Sequence, residues 1–102
     1  MKKSTVVLVL SLTLLIFAGS ALAGHQVELY TTSWCPYCKK ARDFFNAKGI
    51  SFTEYDVEKD KDAARRLQEL GGHSGVPVAV IDGQRIHGFS AAAYERALKA
   101  GN

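Results

Sequence analysis

The 102-residue chain holds only two cysteines, two prolines, one methionine and one tryptophan. Two cysteines rule out a framework of several disulfides and a zinc site built from four thiolates. His25, His73 and His87 form no paired ligand spacing, so a mixed cysteine–histidine zinc site is not indicated either. The residue after Cys38 is Lys39 and not histidine, which excludes the C-x-x-C-H pattern of c-type haem attachment. There is no internal repeat, no linker and no low-complexity tract. Charge of one sign is also scarce: 13 lysines and arginines against 10 acids give a formal net charge of +3, too slight a bias to indicate a nucleic-acid partner.

No apolar run reaches the ~20 residues that a membrane-spanning helix needs. The longest, Val6 to Ala18, has thirteen residues. It follows Lys2 and Lys3, is broken by Gly19 and Ser20, and ends at Ala21-Leu22-Ala23, an A-x-A cleavage signature. Residues 1–23 therefore read as a secretory signal peptide. An uncleaved leader would be the one route to membrane association, and no cysteine follows the run to carry a lipid. Cleavage after Ala23 leaves residues 24–102 as a single domain of 79 residues (102 less 23), and loss of the two lysines lowers the charge from +3 to +1. A domain of that size has a small core. The leader directs the expectation to a periplasmic or secreted protein, in a compartment where disulfides persist.

Both cysteines lie in one stretch, Trp34-Cys35-Pro36-Tyr37-Cys38. It follows a strand-like run, Val27 to Tyr30, and opens a helix-like run, Lys39 to Ala47. A strand that delivers C-x-x-C to a helix N-terminus is a redox context. Unpaired backbone N–H groups and the positive end of the helix dipole favour an anion there, and the attacking form of a cysteine is the thiolate. Cys35 is the expected nucleophile, with Lys39 and Lys40 adding positive potential. Cys38 comes round one turn later on the same face and is the expected, more buried, resolving thiol. Pro36 suits the first helical position, where an N–H is unpaired in any case. A purely structural bridge across so short a loop removes little unfolded-state entropy and is the weaker reading. A binding module is the alternative from another class, with copper(I) or an iron–sulfur cluster held by the same dithiol.

The rest of the chain alternates strand and helix signals. Phe52 to Val57 reads as a second strand. The charge run Glu58 to Asp62 reads as the solvated start of a second helix, whose buried stripe is Ala63, Ala64, Leu67 and Leu70. Gly49 and Gly71-Gly72 end the two helices. Val78 to Ile81 is a buried strand, Asp82-Gly83 a hairpin turn, and Gln84 to His87 the returning edge strand. Ser90 is an N-cap for a last helix, Ala91 to Ala100, that turns Tyr94 and Leu98 inward.

Cys35-Pro36-Tyr37-Cys38, followed by Val76-Pro77, Asp82-Gly83 and Gly88, resembles the dithiol glutaredoxins, and the resemblance runs from Val27 to about Leu98. It implies an α/β protein with the minimal thioredoxin fold, βαβαββα, in which a four-stranded mixed sheet of order 2-1-3-4 is flanked by three helices. The third strand is then antiparallel to the first. The resemblance also implies a cis Val76-Pro77 bond against the dithiol, leaving the N–H and C=O of Val76 to pair with an extended substrate. The substrate-binding residues it places around Cys35 are Trp34, Pro36, Tyr37, Val76, Pro77, Gly88, Phe89 and Ser90. No cofactor or metal is implied.

The departures from the family pattern concern glutathione. The family's lysine ahead of the first cysteine is replaced by Thr31-Thr32-Ser33-Trp34, and Gly75-Val76-Pro77 stands for Thr-Val-Pro. His87-Gly88 followed by Phe89-Ser90-Ala91 stands for Gly-Gly and an aspartate. Without the lysine and the aspartate, charge-assisted bonds to the ends of glutathione are lost, which leaves glutathione as a weak co-substrate. Ser90 and the N-terminus of the last helix remain as a place for a carboxylate. Gly88-Phe89 is similar instead to glutaredoxin-like hydrogen-donor redoxins, which suggests a protein dithiol or disulfide as partner, with Trp34, Tyr37 and Phe89 as an apolar rim. A monomer is expected.

Overall fold

The computed structural model describes residues 24–72 and 75–101. The proposed leader, the loop residues His73 and Ser74, and Asn102 lie outside the described residues. The element order is β1 (Val27–Thr31), α1 (Pro36–Ala47), β2 (Thr53–Asp56), α2 (Lys61–Glu69), β3 (Val78–Ile81), β4 (Gln84–His87) and α3 (Ala91–Ala100). The sheet order is β2-β1-β3-β4. β1 pairs parallel with β2, Glu28 opposite Thr53, and antiparallel with β3, Tyr30 opposite Val78. The mixed four-stranded sheet with three helices is the thioredoxin-like fold that the resemblance implied.

Local chemistry sets the boundaries. α1 begins at Pro36, three residues ahead of the helix-like run at Lys39, because proline is tolerated where no intrahelical donor is needed. It ends at Gly49, whose φ of +69° lets the N–H groups of Gly49 and Ile50 bond back to the carbonyls of Asn46 and Phe45 at 3.1 and 2.9 Å. Asp60 caps α2 by accepting from the N–H groups of Asp62 and Ala63, and Ser90 caps α3 by accepting from Ala93. β2 is shorter than the Phe52–Val57 run, since Phe52 packs into the core and Val57 sits past the strand, its N–H bonded to the Thr31 carbonyl. β3 and β4 join through Asp82 and Gly83, both at positive φ, +48° and +86°, as a type I′ hairpin requires.

The core has two parts, one on each face of the sheet. Beneath α1 and α3, Val27, Leu29, Phe45, Ile81, Tyr94 and Leu98 are buried together. Phe45 stacks on Tyr94 at 5.3 Å, and Phe44 meets both rings edge-on. On the opposite face Tyr30 and Val78 pack against Ala63 and Leu67 of α2. Ala64 and Leu70, the other members of the expected α2 stripe, are half-buried. Tyr30, although inside, keeps a polar end: its hydroxyl accepts from Arg66 Nε at 3.4 Å. Because both faces of β1 are covered, the strand is buried at four of its five positions, and its C-terminal end is a rigid mount for the loop that follows.

Candidate active site

That loop, Thr32 to Trp34, carries the chain from the end of β1 to Cys35, the N-cap of α1. As the capping side chain, Cys35 Sγ accepts the backbone N–H of Cys38 at 3.2 Å. An N-cap acceptor satisfies one of the donors that a helix leaves unpaired, and a sulfur placed there as an anion meets both that donor and the helix dipole. The Val76 carbonyl oxygen is 3.8 Å from the same sulfur, and the Val76-Pro77 bond is cis.

Both cysteines are free thiols. Cys35 is 6% exposed and Cys38 is fully buried. Burial pushes the Cys38 thiol up from 9.0 to about 12, its hydrogen bond with Cys35 adds to the rise, and a bond from the Thr32 backbone and the charge of Arg42 oppose it. Cys38 is therefore held as the neutral thiol while Cys35 faces the surface.

Cys35 sits in an open cleft of about 410 Å³. Trp34 and Tyr37 form its outer walls and are 70% and 57% exposed. Val57, Leu67 and Val76 form the apolar inner side, Thr32, Pro36 and Gly75 complete it, and among the described residues no charged side chain lines it. Trp34 is not a free-swinging ring: its Nε1–H donates to Glu58 Oε1 at 2.8 Å. Of the two lysines expected to add charge, Lys39 is paired with Asp43 at 2.7 Å and Lys40 lies 5.0 Å from the Tyr37 ring centre.

The remaining residues named from the sequence fall beside this cleft rather than in it. Gly88 donates its N–H to the Pro77 carbonyl at 2.8 Å and accepts from the Tyr94 hydroxyl at 3.1 Å, which ties the end of β4 to the dithiol side of the fold. Pro77 itself is fully buried. Ser90 uses its hydroxyl oxygen to cap α3. Phe89, expected at the rim, is half-buried and packs edge-on against Phe44 and Tyr94 at 6.1 and 5.2 Å, so one side of its ring joins the aromatic cluster.

Several residues of the site carried no sequence signal as functional. Glu58 reaches Trp34 across 24 positions, a pairing that only the tertiary fold creates. Leu67 was readable as core, but not as a wall of the cleft. Thr32 is 4% exposed, and its Oγ1 is buried with no hydrogen-bond partner among the described residues. The same residues gather no group of three or more histidine, cysteine, aspartate or glutamate side chains fit to hold a metal ion.

A four-stranded mixed sheet that presents a pair of free thiols at a helix N-terminus, beside a cis-proline, defines a thioredoxin-fold dithiol protein. Residues 27–86 match the glutaredoxin family model. An uncharacterized glutaredoxin-like protein of the rubredoxin operon of Clostridium pasteurianum is 34% identical over 74 residues, covering 72% of this chain and 99% of that one. Glutaredoxin 3 of Escherichia coli K12 is 36% identical over 63 residues, covering 62% and 76%. Among solved structures, the thioredoxin-like protein BC3987 superposes with a TM-score of 0.66 at 32% identity, over 71% of this chain and 99% of that one. The glutaredoxin-like NrdH-redoxin of Escherichia coli shares the fold, with a TM-score of 0.63 at 22% identity over 70% and 92%. The chain belongs to the glutaredoxin family. Family and fold together support thiol-disulfide oxidoreductase activity in general.

Proposed function

We propose that this protein is an exported thiol-disulfide oxidoreductase that acts on protein disulfides or dithiols, with glutathione at most a weak co-substrate. The observation that carries the reading is the pairing of Cys35 Sγ, at the helix cap and in an apolar cleft, with the fully buried Cys38 whose N–H it accepts. The Cys35 thiolate attacks a substrate disulfide along the S–S axis, a mixed disulfide forms, and one substrate thiolate leaves. Cys38 then loses its proton and attacks Cys35 Sγ. A disulfide closes between the two, and the second substrate sulfur leaves and takes up a proton. Two electrons pass from the dithiol to the substrate, and the reverse sequence oxidises a substrate dithiol.

The choice of a protein client rests on the cleft, whose described walls are mainly aromatic and aliphatic and, among the described residues, carry no cation for the carboxylates of glutathione. An extended segment can pair with the backbone of Val76 beside Cys35. Export rests on the N-terminal leader, and places the reaction in the periplasm or outside the cell.

The test is a pair of variants. Cys35→Ser abolishes turnover of a disulfide substrate, whereas Cys38→Ser accumulates mixed disulfides with the client, which mass spectrometry of the trapped complexes identifies. Undiminished turnover in Cys35→Ser overturns the reading. A fusion of residues 1–23 to a reporter that is active only after export tests the localisation.

A further inference from the structure

The buried Cys38 must become an anion in order to resolve the mixed disulfide, and among the described residues no carboxylate is one of the groups that act on it. The groups that act on it come from each packed element. Cys35 lies at the cap of α1, the Thr32 backbone in the preceding loop, and Arg42 one turn along α1. The Tyr94 phenol approaches from α3, itself kept neutral by burial. Once Cys35 is bonded to a substrate sulfur, it can carry no charge. Arg42 is then the one full charge left among these groups.

Arg42 is not a mobile surface cation. Its side chain is 26% exposed, and its Nη1 donates to Glu54 Oε2 at 2.8 Å. That same oxygen accepts from Thr31 Oγ1 at 2.7 Å, so the acid is anchored to β1 as well. The i, i+4 spacing puts Arg42 on the Cys38 side of the helix.

We propose that Arg42, held in place by Glu54, is the positioning residue for the resolving step: it keeps a fixed positive charge one helical turn from Cys38 and so makes the buried thiolate attainable when Cys35 is occupied. The inference rests on the mixed-disulfide reading above. Glu54 sets the strength of this effect, since its carboxylate offsets part of the guanidinium charge.

The experiment is a single-turnover reaction of the reduced full chain with the aromatic disulfide dithiobis(nitrobenzoate). The first nitrothiobenzoate released reports attack by Cys35, and the second reports resolution by Cys38. In Arg42→Met the second release slows about threefold to tenfold at neutral pH, and its pH profile moves to higher pH, because fewer Cys38 thiols are ionised. The first release keeps its rate. Arg42→Lys restores the second release, and Glu54→Gln moves its profile to lower pH. A merely structural role for the pair displaces the Arg42→Met and Glu54→Gln profiles in the same direction or leaves them superimposed on the parent, and either result overturns the proposal. Absence of a first release in the unmodified protein sinks the thiol-exchange reading itself, which separates the two failures.

Discussion

The indole of Trp34 is 70% exposed, yet its N–H is fixed at 2.8 Å to Glu58, a residue of the turn that follows β2. An exposed ring held at its polar edge is a standing wall for the cleft rather than a side chain that closes over it. Glu58→Ala releases the ring, and the expected result is an increase of about threefold in KM for a disulfide-bonded peptide, with kcat little changed, from loss of about one hydrogen bond's worth of pre-organisation. Trp34 is the only tryptophan of the chain, so its fluorescence anisotropy reads the release directly. Unchanged KM and unchanged anisotropy together defeat the idea.

The buried resolving thiol links stability to pH. Cys38 is pushed from 9.0 up to about 12, mainly by burial. A group with a raised folded-state pKa holds the fold best below its unfolded value, and that contribution drains away as pH climbs toward the folded value. The reduced protein is therefore expected to lose thermal stability progressively from about pH 9 toward 12, more steeply than Cys38→Ala. Melting curves across this range decide, and parallel curves for the two proteins contradict the assignment.

Far from the cleft, Asp82 secures the start of the domain to the β3–β4 turn. Its carboxylate accepts the Gln26 backbone N–H at 2.8 Å and pairs with His25 at 2.6 Å, and these bonds, the backbone one first, hold it below its ordinary 3.8. A lowered carboxylate contributes stability above its unfolded pKa and loses it as pH falls through the folded value. Asp82→Asn keeps a residue type that tolerates the positive φ. It is expected to melt below the parent at pH 7, and the gap is expected to narrow progressively as the pH falls below 3.8 and the Asp82 carboxylate takes up its proton. A gap that persists undiminished in acid argues against the ionic contribution.

The aromatic cluster above the sheet makes a plain stability prediction. Phe45 is fully buried against Tyr94 and Phe52, and Phe45→Ala is expected to cost about 3–5 kcal/mol. Tyr94→Phe keeps the packing but strips Gly88 of a hydrogen bond, at a cost of about 1 kcal/mol. Urea unfolding with an unchanged slope measures both. Equal losses for the two variants are incompatible with packing being the larger share.

The sequence alone determined the order of strands and helices, the two glycine stops, the Asp82-Gly83 turn, the Ser90 cap and the placement of a C-x-x-C motif at a helix N-terminus. These features depend on residues within a few positions of one another, where backbone dihedral preferences and hydrogen-bond reach act directly. What tertiary structure decided lies across the sheet. Phe89 packed one side of its ring against the aromatic cluster, Glu58 became the partner of Trp34, and Thr31, Arg42 and Glu54, from three separate elements, joined into one chain of hydrogen bonds. Periodicity says which way a side chain points along its own helix or strand. Only the packing of one element against another says what it meets there, and that is what makes Cys38 a fully buried thiol and Cys35 the sulfur that lines the cleft.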